Sequence, residues 1–182
     1  MRRLHSVLIV LLLTISAPVT LSQGLEADMS MNEHLKVFEP YLGKTWRGEF
    51  KGSTPEKPMI DISHWERALN GQAVRILHSV NNGEYGGESI IVWDEGQKSL
   101  VYYYFTTAGF YTSGSMTFAD GKIVSLEKVS GHEGGITEVR STGEILADGK
   151  LRSKAQFLKE GQWIDGHEII YTEDPAANVV FK

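Results

Sequence analysis

Turn-forming dipeptides recur along this chain at intervals that leave room for little but short strands. Asn70-Gly71, Asn82-Gly83, Asp120-Gly121 and Asp148-Gly149, with the looser Glu95-Gly96 and Glu160-Gly161, separate a series of apolar and aromatic segments. Asn-Gly and Asp-Gly suit type I′ hairpin loops, because both central residues must take φ > 0. The segments between them read as ten strands, at 44–51, 58–69, 72–81, 86–93, 98–107, 110–119, 122–130, 136–147, 150–159 and 163–173. Consecutive hairpins make an antiparallel meander. An open meander has two unpaired edges, and closure removes both. The expected fold is therefore all-β, a single antiparallel meander closed into a barrel of about ten strands. A two-sheet sandwich would need long crossing connections, and none is visible. The 19 glycines and the 10% aromatic share suit a chain of many turns and many strands.

The first residues follow a different pattern. Arg2 and Arg3 precede an apolar run from Val7 to Leu13, and Thr20 and Ser22 place small residues ahead of Gln23. This is the layout of a secretory signal peptide over 1–22. The run falls short of the roughly 20 apolar residues of a membrane span, so the mature chain is expected to be secreted, periplasmic or extracellular, and not inserted in a membrane. Residues 23–30 read as a flexible leader, and 31–182 as a single barrel domain. Ser30 and Glu33 have the spacing of a capping box. Leu35, Phe38 and Leu42 then recur at helical spacing until Pro40 and Gly43 end the run. One short helix over 31–39 is expected, covering an end of the barrel.

Composition removes several functions. There is no cysteine, so disulfides, a lipoprotein anchor and thiolate zinc sites are excluded. The signal segment carries two of the 18 Lys+Arg and none of the 23 Asp+Glu, leaving the rest at a formal −7. An acidic chain without a basic run is a poor partner for nucleic acid or an anionic membrane surface. No His-x-His or His-x-x-His pair marks a metal site. The glycines around 83–87 and 131–135 do not join a strand to a helix, so no phosphate loop is read there. A Gly-x-Ser-x-Gly elbow is also lacking.

The tight turns fix register. With Asn70-Gly71 and Asn82-Gly83 as loops, Glu66 faces Arg75, Leu77 faces Glu88, and Arg75 faces Ile90. One face then carries His64, Glu66, Arg75, Leu77, Glu88 and Ile90; the other carries Trp65, Val74, Ile76, His78, Ser89, Ile91 and Trp93. If Val92 lies opposite Leu100, Tyr102 and Tyr104 join the first face. Turned inward, that face is a polar lining of His64, Glu66, Arg75, Glu88, Tyr102 and Tyr104, whose buried charges must pair. Turned outward, it is an ordinary surface ion pair, with Trp65, Val74, Ile76, Ile91 and Trp93 as the core. Sequence alone leaves both readings open. His167, Ile169 and Tyr171 share a face of the last strand, and Arg140 is a further candidate cation for a ligand.

Leu42-Gly43-Lys44-Thr45-Trp46-Arg47-Gly48 opens the first strand. It resembles the Gly-x-Trp opening of the calycins, the lipocalins and fatty-acid-binding proteins, with one residue more between Gly43 and Trp46. Ala68 to Val74, Trp93-Asp94-Glu95-Gly96, Tyr102-Tyr103-Tyr104-Phe105, Thr106-Thr107-Ala108-Gly109 and Gly161-Gln162-Trp163 continue the likeness through most of 35–173. Among calycins the chain is most similar to the DUF1579-like, lipocalin-related bacterial proteins. The resemblance implies a calycin barrel in which Gly43 and Trp46 are structural, Trp46 packing across the base. It also implies a ligand site at the barrel end of the last strand. Fatty-acid-binding proteins hold a carboxylate there with an Arg and a Tyr, whereas this chain has His167 and Tyr171. Some calycins hold haem through a barrel histidine, for which His64, His78, His132 and His167 are available. No local motif marks any of them, and no cofactor is expected.

Three functions stay in view. The first is a carrier of a small, mostly apolar molecule with one polar end, bound by His64, Glu66, Arg75, Glu88, Tyr102, Tyr104, Arg140, His167 and Tyr171. The second is a cofactor-free isomerase, hydratase or cyclase using His64, Glu66 and a tyrosine. The third is a barrel filled by its own side chains that acts through its surface.

Overall fold

A computed structural model describes residues 30–129 and 135–182. The expected signal peptide, nearly all of the expected leader, and His132 lie outside the described residues. Ten strands follow one another: β1 (Lys44–Phe50), β2 (Ile60–Ala68), β3 (Ala73–Val80), β4 (Tyr85–Asp94), β5 (Ser99–Thr106), β6 (Tyr111–Ala119), β7 (Lys122–Lys128), β8 (Ile136–Ile145), β9 (Leu151–Lys159) and β10 (Gln162–Glu173). Each pairs antiparallel with the next, and β10 returns to β1, so the barrel is closed. The all-β closed meander expected from the turn spacing is the observed fold.

The turns hold register as the dipeptides require. Glu66 lies opposite Arg75, Leu77 opposite Glu88, and Arg75 opposite Ile90. Asn70, Asn82 and Asp120 take φ of 53°, 56° and 52°, each followed by a glycine that also has positive φ. The β4–β5 connection departs from expectation. Val92 faces Val101, and Trp93 faces Leu100. Asp94 Oδ1 accepts from the Gln97 amide at 2.7 Å, and Lys98 takes φ 51°. The left-handed residue is therefore Lys98 and not Gly96, and the loop is longer by one position. A one-residue slip moves every side chain of a strand to the other face. Tyr102 and Tyr104 thus sit on the side of Trp65 and Ile76, not on that of Glu66 and Arg75.

That side is the interior. Trp46, Val74 and Ile91 are fully buried there, with Leu100, Tyr102, Ile123, Leu151, Ile169 and Tyr171 nearly so. Gly43 takes φ 70° and donates its amide to the Trp65 carbonyl, setting the entry of β1.

The segment before β1 is a 3-10 helix, Glu33–Tyr41, with Pro40 inside it. Proline lacks an amide hydrogen and clashes with the carbonyl four residues back, which disfavours an α-turn here. The bonds Leu35 N–H to Asn32 O and Leu42 N–H to Glu39 O span three residues. With three residues per turn, Leu35, Phe38 and Tyr41 line up on one face, and all three are buried. Tyr41 therefore takes the place that an α-helical period assigns to Leu42. The cap is Asn32, whose Oδ1 accepts from the His34 amide, not Ser30. The helix closes one end of the barrel: His34 stacks on Trp93 with ring centroids 3.6 Å apart, and Tyr41 stacks on Trp65 at 5.0 Å.

Candidate functional site

The interior divides into two compartments that share Met116, Ser125, Ser141, Ser153 and Tyr171. Under the helix lies a small apolar space of about 170 Å³ between Trp65, Ile76, Met116, Ile123 and Leu151. Toward the other end lies a compartment of about 460 Å³, open to solvent, where the polar side chains gather.

Five strands assemble the hydrogen-bonded centre of that compartment. Asp61 on β2 is 2% exposed, and both its oxygens are engaged. Oδ1 pairs with His78 Nδ1 at 2.8 Å, and Oδ2 accepts from the Tyr171 hydroxyl at 2.8 Å. A carboxylate only accepts, so His78 Nδ1 is the donor to Asp61, and Nε2 meets Tyr104 Oη, also at 2.8 Å. Tyr104 in turn contacts Tyr85 Oη at 3.0 Å. The result is a continuous chain, Tyr171–Asp61–His78–Tyr104–Tyr85, running from the β10 seam to β4. Burial raises the pKa of Tyr104, with Tyr85 and Asp61 adding to it, and raises that of Tyr171, again reinforced by Asp61. Both phenols stay protonated.

Close backbone approach makes the chain geometrically available. A Cβ on Gly48 would lie 2.6 Å from the Tyr171 ring, and one on Gly87 would lie 2.4 Å from the Tyr104 ring. Glycine at these two positions lets each aromatic ring lie flat on the neighbouring strand. Two further groups face the same compartment. Tyr102 Oη donates to Glu127 on β7 at 3.3 Å. Burial pushes the Glu127 carboxyl up, while the hydroxyls of Thr112 and Tyr102 work the other way. His167 packs edge-on to Phe50 and Phe157, at 5.7 and 5.9 Å between centroids. Burial lowers its pKa, opposed by the charge of Asp61. A bulge in β10 between Asp165 and Glu168 turns this imidazole inward.

The residues singled out from sequence are thus divided by the wall. Tyr102, Tyr104, His167 and Tyr171 line the interior. His64, Glu66, Arg75 and Glu88 form an outer-face network instead. Arg75 meets Glu88 through Nε and Nη2 at 3.0 and 3.1 Å, and Glu66 through Nη1 at 3.0 Å, with each side chain about a third exposed. His64 Nε2 lies 3.8 Å from Glu66, and its Nδ1 meets Thr45 Oγ1. The inward-lining reading of this group is corrected: the interior already holds the bulky Trp65, Ile76 and Ile91, and the charged set takes the alternate positions. Arg140 is also outside, bonded to Gln156 and lying over the Trp163 ring at 4.6 Å. Sequence reasoning passed over Asp61, Tyr85 and Glu127. Extending the alternation of Trp65 back to Asp61 and of Ser89 back to Tyr85 would have found the first two. Glu127 required the register of four successive hairpins.

Among the described residues no group of three His, Asp or Glu side chains is arranged to hold a metal ion, and no helix is long and apolar enough to cross a membrane. No family model matches the chain, and no curated protein matches it. Among solved structures it is similar to Rv2717c from M. tuberculosis, with a TM-score of 0.56 at 13% identity over 80% of this chain and 99% of that one. The likeness is one of fold alone, a barrel architecture.

Proposed function

We propose that the protein is a secreted, lipocalin-like carrier, periplasmic or extracellular, for a small and mostly apolar molecule with one polar end. The observation that carries this reading is the two-part interior. An apolar recess under the helix adjoins a polar compartment of about 460 Å³. Ligand sites typically begin near ~300 Å³ and combine apolar walls with a few placed polar groups. A barrel packed solid by its own side chains would hold no such space, which weighs against action through the surface alone. The calycin resemblance supports the same reading, as does the apolar run of 7–13 behind Arg2 and Arg3. The ligand-contacting residues in this reading are Tyr85, Tyr102, Tyr104, Glu127 and His167, with Asp61, His78 and Tyr171 holding the phenols in place.

Native mass spectrometry of protein purified from its own host tests the carrier. The expected spectrum shows an adduct that is lost on denaturation and reduced in Tyr104→Phe. A single apo mass, with no small molecule extracted by solvent, would overturn it.

One observation favours a second reading, a cofactor-free acid/base enzyme. In the Asp61–His78–Tyr104 chain a carboxylate orients an imidazole whose far nitrogen meets a hydroxyl that faces the cavity. That arrangement can relay a proton to or from a bound molecule. It replaces His64 and Glu66, which face outward, as the group to test. If this reading holds, the compound recovered from His78→Asn protein differs in structure from that recovered with the unsubstituted chain. Identical compounds from both would leave the carrier alone standing.

A further inference from the structure

We infer that the cavity selects ligands whose polar end is an uncharged hydroxyl or carbonyl and discriminates against the corresponding carboxylates; this rests on the carrier reading above. Asp61 and Glu127 supply two carboxyl groups, and neither compartment is lined by a lysine or arginine among the described residues. The two arginines that sequence places near the site, Arg75 and Arg140, are held on the outer face by Glu66, Glu88 and Gln156. An anionic head entering here meets a buried carboxylate with no cation to offset it, and loses its own hydration.

Histidine does not fill the missing role. The His167 ring is wedged between Phe50 and Phe157, surroundings that favour the neutral imidazole. Its lowered pKa, caused first by burial, agrees. His78 is engaged at both nitrogens, by Asp61 and Tyr104. What the lining does offer is neutral hydrogen-bonding capacity in both senses. A neutral imidazole has one donor and one acceptor nitrogen, and no hydrogen bond to His167's ring is made among the described residues. Tyr85 Oη has spare capacity beyond its contact with Tyr104. Glu127, whose carboxyl burial pushes up, accepts from the Tyr102 hydroxyl and adds a further acceptor beside it. A hydroxyl or carbonyl can use these groups without bringing an uncompensated charge into the barrel. A cationic head is less well served. Asp61 already spends both oxygens on His78 and Tyr171, Glu127 already accepts from Tyr102, and the N–H and O–H donors around the space face a cation unfavourably.

Matched primary alcohols, carboxylates and amines of six to twelve carbons, titrated into the full chain at pH 8 by calorimetry, separate the cases. The best alcohol is expected to bind at least about tenfold more tightly than the carboxylate of equal length. Tyr85→Phe should weaken the alcohol several-fold and leave the carboxylate nearly unchanged. His167→Arg should reverse the order by installing the missing cation. Equal or tighter binding of the carboxylate would overturn the selectivity and leave the carrier intact. An amine that binds best would overturn it in favour of a cationic ligand. Binding by none of the series would take the carrier reading down with it.

Discussion

Arg75 shows how much one side chain's meaning depends on which way it points. Buried, it would neutralise Glu66 and Glu88, and its loss would strand two carboxylates at a cost of several kcal/mol. Here all three side chains are about a third exposed, so solvent screens the pair. Arg75→Ala is expected to lower stability by less than ~1 kcal/mol in urea denaturation, with a coupling to Glu88 of similar size in a double-mutant cycle. Interior glycines carry the opposite weight. A methyl on Gly87 would meet the Tyr104 ring at 2.4 Å and the Phe105 carbonyl at 2.3 Å. Backbone cannot yield as a flexible side chain can, so Gly87→Ala should cost about 1–3 kcal/mol and displace Tyr104 from His78. The hydroxyl-to-imidazole bond should vanish from the NMR signature of the His78 ring, whereas Gly161→Ala, whose Cβ meets nothing within 4 Å, should leave that signature in place.

At the scale of elements, the strands were legible because turn chemistry is local. Asn-Gly and Asp-Gly announce positive φ in the residues themselves, and the backbone obeys at Asn70, Asn82 and Asp120. The β4–β5 loop was not legible for the same reason. Its left-handed residue is a lysine, and its length is set by the Asp94 side chain gripping the Gln97 amide. That single hidden position decided whether Tyr102 and Tyr104 faced the interior or the outside. The helix was legible as an apolar repeat but not as a 3-10 helix, since Leu35 and Phe38 fit both periods and only burial distinguishes Tyr41 from Leu42. Its energetic role follows from that burial. Phe38 is 1% exposed and packs on Trp65 at 6.2 Å. Phe38→Ala should cost about 3–5 kcal/mol and loosen the closed end, seen as faster amide exchange at Trp65 and Trp93. Unchanged exchange there would place the lid elsewhere.

The whole molecule is a wall whose two faces are both of mixed polarity, and this is why closure could be read from sequence while the inside could not. A cavity that must hold Asp61, His78, Glu127 and His167 alongside Trp65 and Ile76 has no uniform hydropathy to recognise. The same enclosure ties stability to pH through two groups of opposite sign. Burial lowers the His167 pKa, so near neutrality and below, the unfolded chain binds the proton more readily than the folded one. Its contribution is complete above the unfolded value of about 6.5 and is lost as pH falls from there through the folded pKa. Burial raises the Glu127 pKa, so the folded chain holds that proton more tightly. Its contribution is complete below the unfolded value of about 4.3 and is lost as pH rises through the folded pKa. Across the interval between those two unfolded values the effects oppose each other, and the unsubstituted protein should show a shallow profile. Removing one group at a time exposes the other. In Glu127→Gln the melting temperature should fall more steeply on acidification than in the unsubstituted chain, because only the His167 loss remains. In His167→Asn it should instead decline as pH rises through the carboxyl range. Parallel profiles for all three proteins would mean that neither group titrates inside the barrel, and the neutral character assigned to the lining would lose its support.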